Sequence, residues 1–589
     1  MSRLTSRRLF AVVLAALTAA APVRAGGFRN DILAGSYDGT LDAIETVNFL
    51  VGAGIFYSAG YFGQNTVIAN VEAGHVWGGH EVFDRTGLLL PSSPSILINA
   101  TPHPTESPEL GAIDYHATMV GHVLAGTGSL GNGNLSLLGA GMAPFATLWS
   151  GAIATRFEHD EEKIGEFEAT KESLLVPYRA FFEGSLGTKP DVINSSWGYD
   201  DPAGTDEFTR VLDSLAGNNP SVTFVRSAGN GGATMSPGGP GSGFNGITVG
   251  SLGGGDDTIP FLRPSTFTAS APSDFFNPAT GETISDARAA VSVAAPGEQF
   301  ALAAYLGKSG SLAEFVGEGD PSTDLYFVFN QSGTSFAAPV VAGGVALLKD
   351  VSKNPAYFAD QPESRDTRVI KSVIQAGALK TIGWDNGQQL DESGVLVTTQ
   401  ALDYATGAGR LDLETSVAIY LFGTTDVPGS GGGVIASLGW DLGEIGVAES
   451  NDYFFDLAFD GPVELAVSLN WFVNDVFDAV AEQALYGSFA NLNLEVWAVV
   501  GGAFDHPVAR SATLYNNSEY LRFVLAGGSY GLRVTHDGMI YDFPGAAPRE
   551  TYGLAWVVVA VPEPAEWAVA LALLLAMVVA HRRRARSKV

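Results

Sequence analysis

The sequence predicts an α/β fold, a parallel sheet with helices on both faces, followed by an all-β sandwich-like module. Three observations predict it. Short apolar runs alternate with Gly- and Ala-rich helical runs up to about residue 420. The stretch PGSGGG at 428–433 breaks that alternation. Beyond it the runs become aromatic-rich and alternating, with turn residues between them. Strands alternating with helices build a sheet covered on its faces, and alternating strands punctuated by turns build a sandwich.

Taken in order, TVIANV, TLWSGAI, DVINSSW, VTFVRSAG and GITVGSL are expected as buried strands. HATMVGHVLAG and SFAAPVVAGGVALLKDV are expected as helices. After the break, YFFDLAF, VELAVSLNWF, LNLEVWAVV, YLRFVLAG and YGLRVTHD are expected as strands. The resulting division is a leader over 1–25, an N-terminal segment over 26–65 and an α/β domain over 66–420. A linker over 421–433, a β module over 434–560 and a tail over 561–589 follow.

Composition narrows the function. The 589 residues hold 32 Lys and Arg against 63 Asp and Glu, a formal charge of −31. A nucleic-acid partner needs clustered basic residues, so none is expected. Acidity of this kind gives solubility, and the carboxylates leave room for structural calcium, with Asp452, Asp456 and Asp460 as candidates against a reading as solvated strand and turn residues. The chain has no cysteine. Disulfides, thiolate metal sites and a cysteine nucleophile are excluded.

The ends speak of export. MSRLTSRRLFAVVLAALTAAAPVRA has a basic start, an apolar run and small residues before Gly26, a secretory signal pattern. Arg7 and Arg8 fit either a twin-arginine signal or ordinary n-region charges. At the far end VPEP at 561–564 precedes an apolar run, Trp567 to Ala580, and a basic cluster from Arg582. That run is short for a stable span, which needs about 20 residues, and the basic end should stay in the cytoplasm.

The stretch SGTSFAAPVVAGGVALL, 332–348, places Ser335 in a collar of small residues at a helix start. Free N–H groups and the positive helix end favour developing negative charge there, and the small collar admits a substrate backbone. Pro339 is expected within the tolerant opening turn. Such a serine needs a base and an oxyanion donor. His116 opens another small-residue helix, and Asn230 sits in the Gly-rich turn of VRSAGNGG.

These motifs resemble those of subtilisin-like serine proteases. GTSFAAPVVAG resembles the nucleophile motif, SAGNGG the oxyanion-asparagine motif, and HATMVGHVLAG the histidine motif, with Ala117 and Gly121 as departures. LGAGMAPFATL and VSVAAPGEQF agree further, and DVINSSWG resembles the strand that pairs with substrate. The resemblance spans roughly residues 60–415 in the family's order. It implies a serine endopeptidase acting on polypeptides through an acyl-enzyme, with no cofactor for catalysis. Ser335 is then the nucleophile, His116 the base, and Asn230 with the Ser335 N–H the oxyanion donors. Ser196, Trp197 and Gly198 are the substrate-binding residues, with Trp197 open to a core role instead.

The first family motif departs most. VIANVEAGHV carries Glu72 where the family has aspartate. Glutamate is one methylene longer, and other hydrolases use it as the orienting carboxylate. Glu72 is therefore the expected partner of His116, with a structural role as the alternative and Asp114 as a rival. His75, His80 and His122 are expected outside the chemistry. The function alternative is a weak or inactive protease-like surface-binding protein.

The tail resembles the PEP-CTERM sorting signal of Gram-negative bacteria. It implies partners in the export machinery and an exosortase-type processing enzyme. The protein would be transiently anchored in the membrane, then at the cell surface or secreted; a permanent tail anchor is the alternative. The segment 26–65 is short for the family's inhibitory propeptide. Three strings are rejected as motifs: GGSYG at 527–531, expected as a hairpin turn; GTGSLG at 126–131, which follows a helix; and HEVFD at 80–84, which lacks a second histidine.

Overall fold

The computed structural model describes residues 33–34, 45–85, 91–100, 109–127, 139–159, 165–253, 261–307, 309–312, 327–358, 361–422, 432–457, 461–545 and 549–560. The leader and the tail lie outside the described residues.

Among the described residues the central sheet has seven parallel strands, β1 (Val67–Glu72), β2 (Ile96–Asn99), β3 (Thr147–Ala152), β4 (Val192–Ser195), β5 (Thr223–Ser227), β6 (Ile247–Gly253) and β7 (Val293–Pro296), and one short antiparallel strand, Arg263–Pro264, paired with β6. Their spatial order is β7-β6-β5-β4-β1-β3-β2. Alternate residues face opposite sides, as a strand's period of two requires. Ile68, Val192, Val225 and Val249 join one core, and Ala69, Val71, Ile193 and Phe224 join the other.

Helices cover both faces. On the first lie α1 (Tyr115–Ala125) and α4 (Thr334–Ser352). On the second lie α2 (Lys171–Glu183) and α3 (Glu207–Asn218), whose Leu174, Phe181, Leu212 and Leu215 pack on the sheet. The helix α4 is long and apolar enough to cross a membrane, yet it is almost wholly buried in this core. Pro339 falls in its second turn, because the helix begins at Thr334. This corrects the expected opening-turn position: the proline removes the N–H that would bond the Ser335 carbonyl. Residues ahead of β1 belong to the same core, with Val47, Val51 and Phe56 fully buried and Gly63 N donating to Asp350 at 2.9 Å.

The β module has two packed sheets. One orders β8 (Leu438–Ile445), β15 (Glu550–Ala560), β10 (Val463–Trp471) and β13 (Ser518–Leu525) as β8-β15-β10-β13. The other contains β9 (Ser450–Leu457), β11 (Ser488–Val500), β12 (Ala503–Ser511) and β14 (Gly528–Asp542), in the order β12-β11-β14-β9. Leu465, Val467, Leu469 and Trp556 meet Tyr453, Leu494, Val496 and Leu532 between the sheets. Only Gly527 of GGSYG lies between β13 and β14, strands in different sheets, and the other four residues open β14, so the connection is a crossing between layers rather than the expected hairpin turn.

The β8-β15-β10-β13 sheet is buried on its second face too, by α5 (Thr367–Gly377). Gly553 approaches α5 so closely that a Cβ would sit 2.3 Å from the Arg368 backbone. Gln375 Oε1 accepts from Ser468 Oγ at 2.6 Å and Asn470 Nδ2 at 2.8 Å. Ser372 Oγ donates to Gly553 O at 2.9 Å. A short strand pair of the α/β part, Gln389–Leu390 and Leu396–Val397, extends the other sheet beside β12.

Candidate active site

The site forms at the carboxyl ends of the parallel strands, where open α/β sheets place their ligands. Glu72 is the last residue of β1 and 1% exposed. Its Oε1 accepts from Ser196 N at 2.7 Å, just past the end of β4. Its Oε2 lies 3.3 Å from His116 Nδ1. Burial raises the Glu72 pKa against the lowering pull of His116 and the Ser196 N–H. For His116, burial lowers the pKa, but the hydrogen bond and charge of Glu72 prevail and the net shift is upward.

Asp114 does a different job from the orienting role it rivalled. It caps α1, its Oδ2 accepting from His116 N at 3.0 Å and Ala117 N at 3.2 Å. Its Oδ1 accepts from Ser311 N and Ser311 Oγ, at 2.8 and 2.6 Å. The carboxylate thus fixes the His116 backbone and leaves the ring to Glu72. The departure at Gly121 also has a cause, because a Cβ there would stand 2.9 Å from Val76 Cγ2.

Ser335 is the second residue of α4, and its Oγ donates to Ser196 O at 3.0 Å. Among the described residues no hydrogen bond joins it to His116 in this resting arrangement; such bonds are often loose before substrate arrives. Asn230 follows β5. Its Oδ1 accepts from Thr334 N at 2.9 Å and Thr334 Oγ1 at 3.0 Å, and Thr334 Oγ1 in turn accepts from Gly229 N at 3.1 Å. The carbonyl end being held, the amide nitrogen faces outward. A Cβ on Gly333 would lie 3.6 Å from Asn230 Nδ2 and 3.7 Å from Ser335 N, so both donors face the space beside this glycine.

Glu72, His116, Asn230, Gly333 and Ser335 line one cleft of about 1020 Å³. A second of about 760 Å³ adjoins it, lined by Ser196 to Asp200, Gly229 to Gly231, Met235 and Ser335. Ser196 and Gly198 line both. Trp197 is mainly a core residue, 8% exposed, donating to Tyr178 OH at 3.1 Å, though it too borders both clefts. Gly333, Thr334 and Met235 are site residues that the sequence reading did not single out. Thr334 carried a signal, a hydroxyl beside the serine at a helix start.

The other histidines are built into the framework. His75 bonds Ser150 Oγ at 3.2 Å, and burial presses its pKa to about 4. His122 bonds Gly139 O through Nε2 at 2.8 Å and accepts from Ala303 N at 3.0 Å; burial brings it to about 4 as well. His80 caps a 3₁₀ turn, Glu81–Phe83, in the HEVFD string. GTGSLG follows α1, and its residues 128–131 lie outside the described residues. Asp452 pairs with Arg533 at 2.7 and 2.9 Å, and Asp456 accepts from Ser529 at 2.6 Å. Asp460 lies outside the described residues. Among the described residues no group of three or more His, Asp or Glu side chains is placed to hold a metal ion.

The chain is similar to several solved structures. The serine protease of Aeromonas sobria is 14% identical, with a TM-score of 0.38, over 87% of this chain and 91% of that one. Fervidolysin from Fervidobacterium pennivorans, a keratinolytic enzyme related to subtilisin, is 16% identical, with a TM-score of 0.41, over 86% and 76%. The prenylagaramide maturation protease PagA is 18% identical, with a TM-score of 0.37, over 63% and 98%. No curated protein sequence matches the chain. The sequence profile of the Subtilase family matches residues 63–409, more than half of the chain, and with it the chain belongs to the subtilase family of serine proteases.

Proposed function

We propose that this subtilase is an exported serine endopeptidase in which Glu72 takes the place of the usual aspartate. The observation that carries this reading is the placement of Glu72 between His116 Nδ1 and Ser196 N, beside the cleft that holds Ser335 and Asn230. Ser335 Oγ rotates from Ser196 O toward His116 and attacks the peptide carbonyl. Its proton passes to His116 Nε2, and Glu72 stabilises the imidazolium that results. Asn230 Nδ2 and the Ser335 N–H take the oxyanion. His116 then returns the proton to the leaving amine, and water releases the acyl group by the same relay. Main-chain groups of Ser196 to Gly198 pair with the extended substrate as an added strand.

Export by the leader, a PEP-CTERM tail removed by an exosortase-type enzyme, and delivery to the cell surface or medium complete the proposal. They rest on the sequence patterns at the two ends. The chemistry is tested with a serine-directed phosphonate on the folded, purified protein. The expected adduct is on Ser335 and disappears in Ser335→Ala. Folded protein that takes no label would refute an activated nucleophile.

A further inference from the structure

Away from the active cleft, buried cations gather where the α/β part meets the β module. Arg226, Arg288 and Lys371 are 1%, 3% and 6% exposed. Arg226 has a carboxylate, its Nη1 donating to Asp213 Oδ1 at 3.2 Å. Asp213 Oδ1 also accepts from Asn245 N at 2.7 Å, and against burial its charge draws the pKa values of Arg288 and Lys371 upward as well, so this one carboxylate serves three cations. Arg288 stacks on Phe244, 3.5 Å from the ring centroid, and donates one bond, from Nη2 to Ser242 O at 2.8 Å. Its Nη1 is buried with no hydrogen-bond partner among the described residues. Among the described residues, neither Arg288 nor Lys371 forms an ion pair, and no acceptor bonds the Lys371 ammonium.

Both cations line one cavity, together with Ser292, Asn516, Asn517 and Ser518. The space at its centre holds about one particle of water size. Arginine and lysine are donors only, and a buried cation without a counter-charge costs far more than a buried neutral group. Burial first, then the neighbouring guanidinium groups, press the Lys371 pKa down to about 7. Burial likewise brings Arg288 down to about 10. Water in the cavity would leave uncompensated the positive charge in excess of the Asp213 carboxylate. The small central space suits a monatomic ion better than a tetrahedral oxyanion.

We propose that this cavity is a binding site for a small inorganic monoanion of the halide class, held between Arg288 and Lys371 and tying the β module to the α/β domain. Its outer wall is residues 516–518, and Asn517 Nδ2 already bridges the two parts through Phe244 O at 3.0 Å and Trp471 O at 2.7 Å. The site is independent of the proteolytic reading, because none of its residues lines the active cleft.

Thermal unfolding of the full chain tests it, with sodium gluconate exchanged for chloride or bromide at constant ionic strength. Halide is expected to raise the transition temperature. Above the dissociation constant, each tenfold increase in halide should multiply the folding equilibrium constant about tenfold. Lys371→Met should abolish the response while being at least as stable as the parent in gluconate, since it removes an unpaired buried charge. Arg288→Met should abolish the response too, and where it fails to fold, Lys371→Met alone decides. Crystals grown in bromide should give an anomalous peak between the two side chains. A parent protein indifferent to halide, a response retained in Lys371→Met, or bromide crystals without that peak would each overturn the proposal.

Discussion

Replacing Glu72 by glutamine probes the least usual feature of the site. The orientation of the new amide is dictated by its surroundings. Ser196 N is a donor 2.7 Å from Oε1, so the amide oxygen must stay there. The amide nitrogen then occupies the Oε2 position, 3.3 Å from His116 Nδ1. A donor at that point forces Nδ1 to accept and moves the ring proton to Nε2, the atom that must receive the Ser335 proton. Neutralising an orienting carboxylate in this manner lowers turnover by about 10⁴, equivalent to about 5 kcal/mol of transition-state stabilisation. Glu72→Asp keeps the charge but withdraws it by one methylene from both partners, and a smaller loss is expected. The assay is kcat and KM for a peptide substrate, with folding checked by circular dichroism. Asp114→Asn is the companion: asparagine caps a helix as well as aspartate, but its amide group replaces one of the two acceptor oxygens that serve the α1 N–H groups and Ser311, so it should lower stability and leave the ring's partner in place. Near-normal turnover in folded Glu72→Gln, or a loss in Asp114→Asn as large as that in Glu72→Gln, would refute the reasoning.

Asn230→Leu should lower kcat by about 10² to 10³ with little change in KM, the loss typical of one oxyanion donor; an unchanged kcat would remove Asn230 from the chemistry. Activity should rise with pH along a limb whose midpoint lies above 6.5, because His116 must be neutral to act and Glu72 holds its proton on against burial. A kcat/KM profile with a midpoint below 6.5 would contradict that balance. Glu550 is 2% exposed, accepts from Asn474 Nδ2 at 2.8 Å and is pushed by burial to about 8. The folded chain therefore keeps a proton that the unfolded chain has lost between about pH 4.5 and 8, and stability falls as pH rises through that window, by at most about 1.4 kcal/mol per pH unit. Denaturation of Glu550→Gln across the window should show a shallower decline. Intact-mass analysis of the native protein should find an end near Pro562 to Pro564; chains recovered from membranes still ending at Val589 would favour the permanent anchor.

The strands of the central sheet were legible where β-branched and aromatic residues run together between glycines, as in β1 and β5. Strands β2 and β7 were not: β2 lies at the sheet edge and is largely half-exposed, and β7 ends in a proline, whereas the equally short β4 lies between β5 and β1 and is wholly buried. Helices α2, α3 and α5 were missed although their polar and apolar faces are the usual helix signal; α2 also contains Pro177, which interrupts that signal. Site residues inside a motif could be read from their neighbours. Those defined by distant partners could not. Asp114 meets Ser311 across 197 positions of sequence, and Asn230 meets Thr334 across 104. The crossing at GGSYG was hidden similarly, since flanking strands alone do not reveal which sheet each joins.

Ser196 links the halves of the site, and its geometry bears on whether the resting arrangement speaks against activity. Its N–H holds Glu72 and its carbonyl holds the Ser335 hydroxyl. The nucleophile is therefore parked away from His116, which on first view favours a protease-like binding protein. The magnitudes point the other way. A neutral hydroxyl-to-carbonyl bond at 3.0 Å contributes about 1 kcal/mol net, so releasing Ser335 lowers the rate by about fivefold at most. The carboxylate–histidine pair, by contrast, is worth about 10⁴. Glu72 also holds the Ser196 N–H, which gives its burial a structural reason; its placement 3.3 Å from the imidazole, against a desolvation that opposes the charged form, is what the proposed mechanism requires in addition. Under the proposed mechanism the contact that matters most for turnover is present and the inexpensive one is displaced, as expected of a resting enzyme.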